Sequence, residues 1–286
     1  MDIGTIILAV ALIIIMFGMG LSLTVQDFTR LFQRPKAIIV GLLNQIILLP
    51  IIAYLLISVM HIHTDIAIGI MILAACPGGP TSNLITHLAK GDTSLSVSLT
   101  AANSLITIFT IPFVIDFALR QFLNANEMIQ IDKLQTVIQI FAVVIIPVTI
   151  GMAIKRAKPN FADKMSKPVK IASAAVLFLV IIALVLKKKE DIIPYLQQAG
   201  IATLILNLVT MGIGFATAKI AKLNSAQSIT IAIESGIQNG TMAIAIASGI
   251  LLNENYAIAP AVYSLIMFLT SGIVIGLGIK MANRTE

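Results

Sequence analysis

Long apolar stretches alternate with short polar segments along the chain. Residues 3–25, 37–60 and 66–89 contain no Lys, Arg, Asp or Glu. Each stretch is long enough to cross a hydrocarbon core, which takes about 20 helical residues, and a lipid-exposed backbone must satisfy its own hydrogen bonds. The pattern predicts an all-α membrane protein with nine transmembrane helices. They run over roughly 3–25, 37–60, 66–89, 94–118, 134–154, 169–186, 194–218, 226–252 and 257–279.

The composition agrees with this pattern. Of 286 residues, 58% are hydrophobic and 11% are charged, which excludes a soluble globular domain. Only Asp2 precedes the first span, so a basic signal-peptide start is missing, and we expect a retained helix there. The single cysteine, Cys76, excludes an internal disulfide.

The basic residues predict the orientation. With nine spans, 14 of the 19 Lys and Arg residues lie in loops on one side and 5 on the other. The positive-inside rule then places the C-terminus in the cytoplasm and the N-terminus outside, in a multi-pass protein of the cell inner membrane. The net charge of +6 is therefore a topology signal and not a nucleic-acid footprint.

The third predicted span is interrupted at mid-membrane depth. Residues 77–80 read Pro-Gly-Gly-Pro. Proline removes a donor and clashes with the preceding turn, and glycine adds backbone freedom, so a continuous helix is not expected. We expect a second half-helix that is capped by Thr81 or Ser82 and restarts near Asn83.

The eighth predicted span carries a second interruption. Glu234 is the only charged residue between 223 and 253, and Gly236 and Gly240 flank Gln238-Asn239. A carboxylate at this depth costs about 2.5 kcal/mol or more unless it is paired or solvated. Two broken helices, one in each half, indicate the midplane site of an inverted-repeat transporter.

Polar residues in other spans fit the same interpretation. The spacing of Ser96, Thr100, Asn103 and Thr107 places them on one helix face. Gln45 follows Asn44 in an otherwise aliphatic stretch. The polar spans form two blocks, about 37–118 and 194–279, which suggests a polar core bundle beside an apolar supporting panel.

Hydroxyl, carboxamide and carboxylate oxygens are hard ligands, and one carboxylate suits a monovalent cation such as Na⁺ better than Ca²⁺ or Mg²⁺. The N-termini of the half-helices favour an anionic substrate group. An alternative is a proton-coupled organic anion carrier with Glu234 as relay. An enzyme is not expected, because no nucleophile–base or metal constellation accompanies His87.

Three motifs together resemble the bile acid:sodium symporter family, over nearly the whole chain. Residues 15–21 read IMFGMGL, which is similar to the family's first-helix signature. Residues 76–79 read CPGG and are followed by Ser82-Asn83, which is similar to the first broken helix. Residues 234–239 read ESGIQN, where the family usually has Glu-x-Gly-x-Gln-Asn.

The resemblance implies a fold of inverted five-helix repeats, in the nine-span form. A panel domain would comprise 1–33 and 133–190, and a core domain 34–122 and 191–282. The implied function is sodium-coupled symport of a small organic anion, a carboxylate or a bile-acid-like molecule, by alternating access in a monomer.

The resemblance also implies site residues. One sodium ion would be held by Ser82, Asn83, Ser96, Thr100 and Glu234. The other would be held by Gln45, Glu234, Gln238 and the carbonyls of Ser235 and Ile237, so that Glu234 bridges both. Substrate would contact Pro80, Thr81, Asn239, Gly240 and Met267.

The chain departs from the family in the implied substrate pocket. Pro80 stands where some members have Thr, and 266–268 read Ile-Met-Phe where some bacterial members have a His-Asn pair. A small carboxylate, pantoate-like or a keto acid, or a steroid-like anion is therefore the expected substrate.

Overall fold

The structure is a computed structural model that describes residues 3–30, 34–123, 132–165 and 192–283, with isolated positions between 168 and 179. These residues form helices and short turns, and no strand occurs among them. The prediction of an all-α protein is confirmed for this part of the chain. Most of the predicted span 169–186 lies outside the described residues.

The helices are numbered here in chain order. They are α1 (Ile3–Gly20), α2 (Val25–Thr29), α3 (Pro35–Met60), α4 (Thr64–Ala75), α5 (Pro80–Leu88), α6 (Thr93–Phe122), α7 (Leu134–Ala157), α8 (Ile192–Ile220), α9 (Ser225–Gly236), α10 (Gly240–Ala245) and α11 (Ile258–Ala282). A π-helical turn, Ile246–Ile250, continues α10, and a 3₁₀ turn, Glu254–Ala257, precedes α11.

Five of the described segments are long and apolar enough to cross a membrane. They are Pro35–Met60, Thr93–Phe122, Leu134–Ala157, Gln197–Ile220 and Glu254–Ala282. Helices α4 and α5 form a sixth candidate span, bent by 71° at its break. The protein is therefore a multi-pass membrane protein with five or six candidate spans among the described residues. The count of nine spans and the inverted repeat stay predictions.

Two of the long helices contain a π-helical turn just before a proline. In α3 the turn is Asn44–Leu48 and precedes Pro50, and in α7 it is Phe141–Ile145 and precedes Pro147. Because proline lacks an N–H and clashes with the carbonyl one turn back, a wider turn lets the helix continue past it. The turn in α3 contains Gln45, which is buried.

Both predicted helix breaks are present. The first lies between Ala75 and Pro80, and the second between Gly236 and Gly240. Cys76 and Ile237, which end the two first half-helices, have extended backbone dihedrals. The chain therefore crosses these two places without helical hydrogen bonding, as the clusters of glycine and proline predict.

The expected start of the second half-helix is wrong by about one turn. Helix α5 begins at Pro80, with Gly79 as the N-cap and no side-chain cap. The Ser82 hydroxyl does not cap the helix but donates to the Gly79 carbonyl at 2.8 Å. Proline is well suited to the first helical position because its missing N–H would lack a partner there anyway. Thr81 consequently lies inside the helix.

Helices α3 and α6 run side by side in the same direction. Arg34 at the start of α3 pairs with Asp92, the N-cap of α6. Near their far ends, the rings of Tyr54 and Phe117 meet edge-to-face with centroids 5.3 Å apart. This parallel arrangement fixes the register between the two polar faces.

Glycines allow backbones to approach closely in two other helix pairs, a common device between membrane helices. A side chain at Gly20 of α1 would overlap the Val148 backbone of α7. A side chain at Gly214 of α8 would lie 2.6 Å from the Ser235 hydroxyl of α9. The first pair joins predicted panel helices, and the second supports the helix that carries Glu234.

We expect opposite outcomes at two glycines of α11. A Cβ at Gly278 would overlap the Ala89 carbonyl at the end of α5, whereas one at Gly276 meets nothing within 4 Å. Gly278→Ala should lower the thermal unfolding temperature in detergent, at a cost of about 1–3 kcal/mol for overpacking. Gly276→Ala is the matched control and should leave it unchanged or raise it. Equal effects would contradict the packing.

Candidate ion and substrate site

The two helix breaks cross each other and are joined through their backbones. The amide of Asn239 donates to the carbonyl of Pro77 at 2.9 Å. A Cβ at Gly79 would lie 3.9 Å from the Asn239 side chain, which is an ordinary contact. The crossing thus brings residues about 160 positions apart in sequence into one buried site.

Glu234 lies at this crossing with its carboxylate facing hydroxyl groups. Its side chain is 2% exposed. Ser96 Oγ donates to Glu234 Oε1 at 2.5 Å, and Thr100 Oγ1 donates to Oε2 at 3.0 Å. No salt bridge joins Glu234 to a basic side chain in the part of the chain that the structure describes.

The remaining residues of the implied first sodium site join the same cluster. The Asn83 side-chain oxygen lies 2.7 Å from Ser96 Oγ and 3.3 Å from Thr100 Oγ1. Ser82 Oγ lies 3.4 Å from Thr100 Oγ1. These contacts link all five implied residues, from α5, α6 and α9, into one cluster. We call them the first oxygen cluster: Ser82, Asn83, Ser96, Thr100 and Glu234.

The first oxygen cluster has fewer protons than close oxygen contacts. Ser96 and Thr100 each carry one hydroxyl proton but each contact both Glu234 and Asn83. The Ser82 proton is already donated to the Gly79 carbonyl. A cation among these oxygens would bind the lone pairs that no proton reaches. The donor set, one carboxylate with neutral oxygens, fits a monovalent cation.

Gly78 brings the first break against the carboxylate. A Cβ at Gly78 would lie 3.1 Å from Glu234 Oε2 and 3.3 Å from the Ile237 carbonyl oxygen. Those two oxygens therefore face the same side of Gly78. The φ of Gly78 is not positive, so the glycine is not required for an unusual backbone conformation. It is needed because the two oxygens approach the backbone closely.

The residues of the implied second sodium site form a separate group. The carboxamides of Gln45 and Gln238 pair, with Nε2 of Gln45 donating to Oε1 of Gln238 at 2.5 Å. Gln45 also donates to the Cys76 carbonyl at 3.2 Å, and Gln238 to the Ser235 carbonyl at 3.0 Å. We call Gln45, Gln238 and the Ser235 and Ile237 carbonyls the second oxygen cluster.

Glu234 is not joined to the second oxygen cluster by a hydrogen bond. Both of its oxygens bond to hydroxyls of α6, and none of the hydrogen bonds among the described residues links it to Gln45 or Gln238. Glu234 Oε2 and the Ile237 carbonyl oxygen both face the side of Gly78 where a Cβ would stand. In this structure the two glutamine oxygens accept from each other's amides.

Four of the five implied substrate residues lie at the crossing. Pro80 and Thr81 begin α5 and are half-buried, and Asn239 caps α10 through a bond from the Met242 amide at 3.0 Å. Gly240 lies against Ser264 of α11. The Asn239 side-chain nitrogen is buried and makes no hydrogen bond.

Met267, the fifth, is buried in α11 about one turn beyond Ser264. The contact between Ser264 and Gly240 makes α11 the neighbour of the crossing. Among the described residues, no hydrogen bond joins the Met267 side chain to Pro80 or Thr81, the first residues of α5.

Two residues that the sequence interpretation missed fix the second break. The carbonyl of Gly236 accepts from Asn207 Nδ2 and from the Tyr263 hydroxyl, both at 2.7 Å. Both side chains are fully buried. A lone asparagine within the apolar stretch of α8 was the available signal, because a polar side chain at that depth needs a partner.

A family model described as the Sodium Bile acid symporter family matches residues 9–194. This match covers more than half of the chain. The chain belongs to this symporter family. Two of the three motifs that carried the resemblance, at 15–21 and 76–79, lie within the matched residues, and the prediction of the family is confirmed.

Curated relatives extend the likeness across most of the chain. A protein of Bacillus subtilis (strain 168) named uncharacterized sodium-dependent transporter YocS is 31% identical over 82% of this chain and 71% of its own. The probable sodium/metabolite cotransporter BASS1, chloroplastic, of Arabidopsis thaliana is 26% identical over 96% and 67%. The ileal sodium/bile acid cotransporter of Homo sapiens is 26% identical over 94% and 78%.

The family and its named members indicate sodium-coupled transport of organic anions or metabolites. Members of this symporter family are transporters and not enzymes, as expected from the sequence. Sodium is in this family the co-transported ion, so it is cargo and not a resident cofactor.

We expect Gly78→Ala to weaken sodium binding, because the added methyl displaces the Glu234 carboxylate and the Ile237 carbonyl. The sodium concentration that gives half the thermal stabilisation should rise about tenfold or more, the equivalent of ~1.4 kcal/mol. Gly79→Ala is the control, since its Cβ makes only an ordinary contact. Unchanged sodium dependence in Gly78→Ala would contradict the placement of the first oxygen cluster.

Proposed function

We propose that this protein couples the inward movement of sodium to the import of a small organic anion, a carboxylate or a bile-acid-like molecule, across the cell inner membrane. The observation that carries the proposal is the buried carboxylate of Glu234, which faces hydroxyl oxygens where two broken helices cross. The membership of the family and the names of its sodium-dependent members support it.

The first sodium ion binds in the first oxygen cluster. Glu234 supplies the negative charge, and Ser82, Asn83, Ser96 and Thr100 supply neutral oxygens. Removing a carboxylate from water at mid-membrane is costly unless a cation pairs with it. Sodium binding therefore stabilises the crossing, and the short oxygen contacts of the cluster support this assignment.

The second sodium ion binds in the second oxygen cluster. Binding requires the two glutamine side chains to turn their oxygens to the ion, which breaks the pairing of Gln45 with Gln238. The carbonyls of Ser235 and Ile237 complete the shell, and Glu234, whose Oε2 faces the same side of Gly78 as the Ile237 carbonyl, bridges the two ions. Because the pairing is made by two side chains, this site is adjustable.

The substrate anion binds on the other side of the crossing from the ions. The N-terminus of α5 at Pro80 and Thr81 directs partial positive charge towards it. Asn239, whose side-chain nitrogen has no partner, donates to the anion, beside Gly240. Met267 and its apolar neighbours on α11 form one wall of the pocket. A small carboxylate suits a pocket with so few polar groups.

Sodium binding orders the crossing, and the ordered crossing binds the anion more tightly. Linkage then requires the anion to tighten sodium binding by the same factor. The core domain, 34–122 and 191–282, rocks against the panel domain, 1–33 and 133–190, and exposes the site to each side in turn. The N-terminus lies outside, and the protein works as a monomer.

We expect sodium to raise the thermal unfolding temperature of the purified protein above its value in potassium or choline chloride at equal ionic strength. A ligand at a hundred times its Kd stabilises by ~2.7 kcal/mol. Glu234→Gln removes the charge with little change in shape, and should abolish the sodium-specific rise. Glu254→Gln, in the 3₁₀ turn before α11, is the control and should keep it.

A wild-type protein that sodium does not stabilise would contradict the proposal. Uptake of a labelled carboxylate into proteoliposomes would then be compared under sodium and pH gradients. Transport that follows the pH gradient alone would favour the proton-coupled alternative, with Glu234 as relay.

A further inference from the structure

Asn103 has a buried side chain with no hydrogen bond at all. It is 1% exposed, and neither its amide nitrogen nor its amide oxygen has a partner. Both groups normally find partners when they are removed from water, because an unsatisfied buried amide costs free energy. Such a side chain therefore indicates a ligand that the polypeptide does not itself provide.

Other buried carboxamides in the described residues are at least partly satisfied. Asn44 Nδ2 donates to the Val40 carbonyl and to Thr217 Oγ1, both at 2.8 Å. Asn207 and Asn239 each leave one atom without a partner, but each uses the other atom. Asn103 alone among these leaves both ends free.

The register of α3 and α6 places Asn103 level with Gln45. The helices run in parallel, and Gly41 of α3 lies against Leu99 of α6, so closely that a Cβ on the glycine would come 2.6 Å from Leu99 Cδ1. Four residues further along each helix are Gln45 and Asn103. The π-helical turn that contains Gln45 also packs against α6.

The same helix face carries the first oxygen cluster. Asn103 lies seven residues after Ser96, which is two helical turns, so the two side chains leave α6 in nearly the same direction. Ser96 contacts Glu234. Asn103 therefore lies on the face of α6 that carries the first oxygen cluster. It is one turn beyond Thr100, at the level of the second oxygen cluster.

We propose that the side-chain oxygen of Asn103 is a further ligand of the second sodium ion. This inference rests on the proposed function and adds a residue of α6 to a shell otherwise built from α3 and the second break. The shell then receives an oxygen from the helix that also lines the first oxygen cluster. One helix contacts both ions, and its position depends on both being bound.

The chemistry around Asn103 favours a cation over a hydrogen-bond partner from the chain. The amide protons of Gln45 and Gln238 are donated to each other and to the Cys76 and Ser235 carbonyls. No amide proton of either glutamine is therefore free to serve the Asn103 oxygen. A sodium ion satisfies the Asn103 oxygen, and a glutamine oxygen released from pairing is an acceptor that its nitrogen could use.

The test measures thermal unfolding of the full-length protein without substrate, in choline chloride and in rising sodium chloride at constant ionic strength. The variants are Asn103→Leu, which replaces the amide by an apolar group of similar shape, and Asn103→Ala. The control is Asn44→Leu, which removes a satisfied buried carboxamide from the neighbouring helix.

We expect Asn103→Leu to unfold at the wild-type temperature or above it in choline, because it removes an unsatisfied amide. Both Asn103 variants should need about tenfold more sodium for half the stabilisation. Asn44→Leu should unfold at a lower temperature in both salts, with the sodium requirement unchanged.

Two results would overturn the inference. If both Asn103 variants unfold earlier in both salts and keep the wild-type sodium requirement, Asn103 has a structural role or binds only water. The proposed function then stands, because the wild type still responds to sodium. If the wild type does not respond to sodium, the proposed function fails, and the inference fails with it.

Discussion

The structure depends on one constraint: a carboxylate lies at membrane depth without a basic side chain beside it in the described residues. Glu234 is buried and is surrounded by hydroxyl and amide oxygens. Hydrogen bonds alone do not neutralise its charge in a medium where isolated charges are costly. In the proposed mechanism a sodium ion neutralises it, so the stability of the crossing depends on the sodium concentration.

The surrounding fold holds that carboxylate in place and leaves room for change. Asn207 and Tyr263 donate hydrogen bonds to the Gly236 carbonyl, so the backbone is held in place where the second break begins, near Glu234. The Gln45–Gln238 pair, by contrast, joins the two breaks by side chains that can turn. We infer that ion binding changes the crossing mainly by rearranging this pair. The hydrogen-bonded Gly236 carbonyl keeps Glu234 aligned while this happens.

The sequence predicted the parts of the site that follow from local chemistry. The charge of Glu234 and the helical spacing of Ser96 and Thr100 were enough to predict that these residues belong to the candidate site. The prolines and glycines of 77–80 were enough to predict the first break. The start of α5 was missed, because Pro80 at the first helical position competes with a side-chain cap. Asn207 and Tyr263 were missed because their role depends on tertiary contact with a carbonyl 27 or more residues away.

The central claim is that the crossing binds sodium through Glu234. The most direct measurement is equilibrium binding of radioactive sodium to the purified protein, with and without an excess of unlabelled sodium or potassium. The account predicts saturable binding of two ions per chain that sodium displaces and potassium does not. Absence of saturable binding, or equal displacement by potassium, would contradict it.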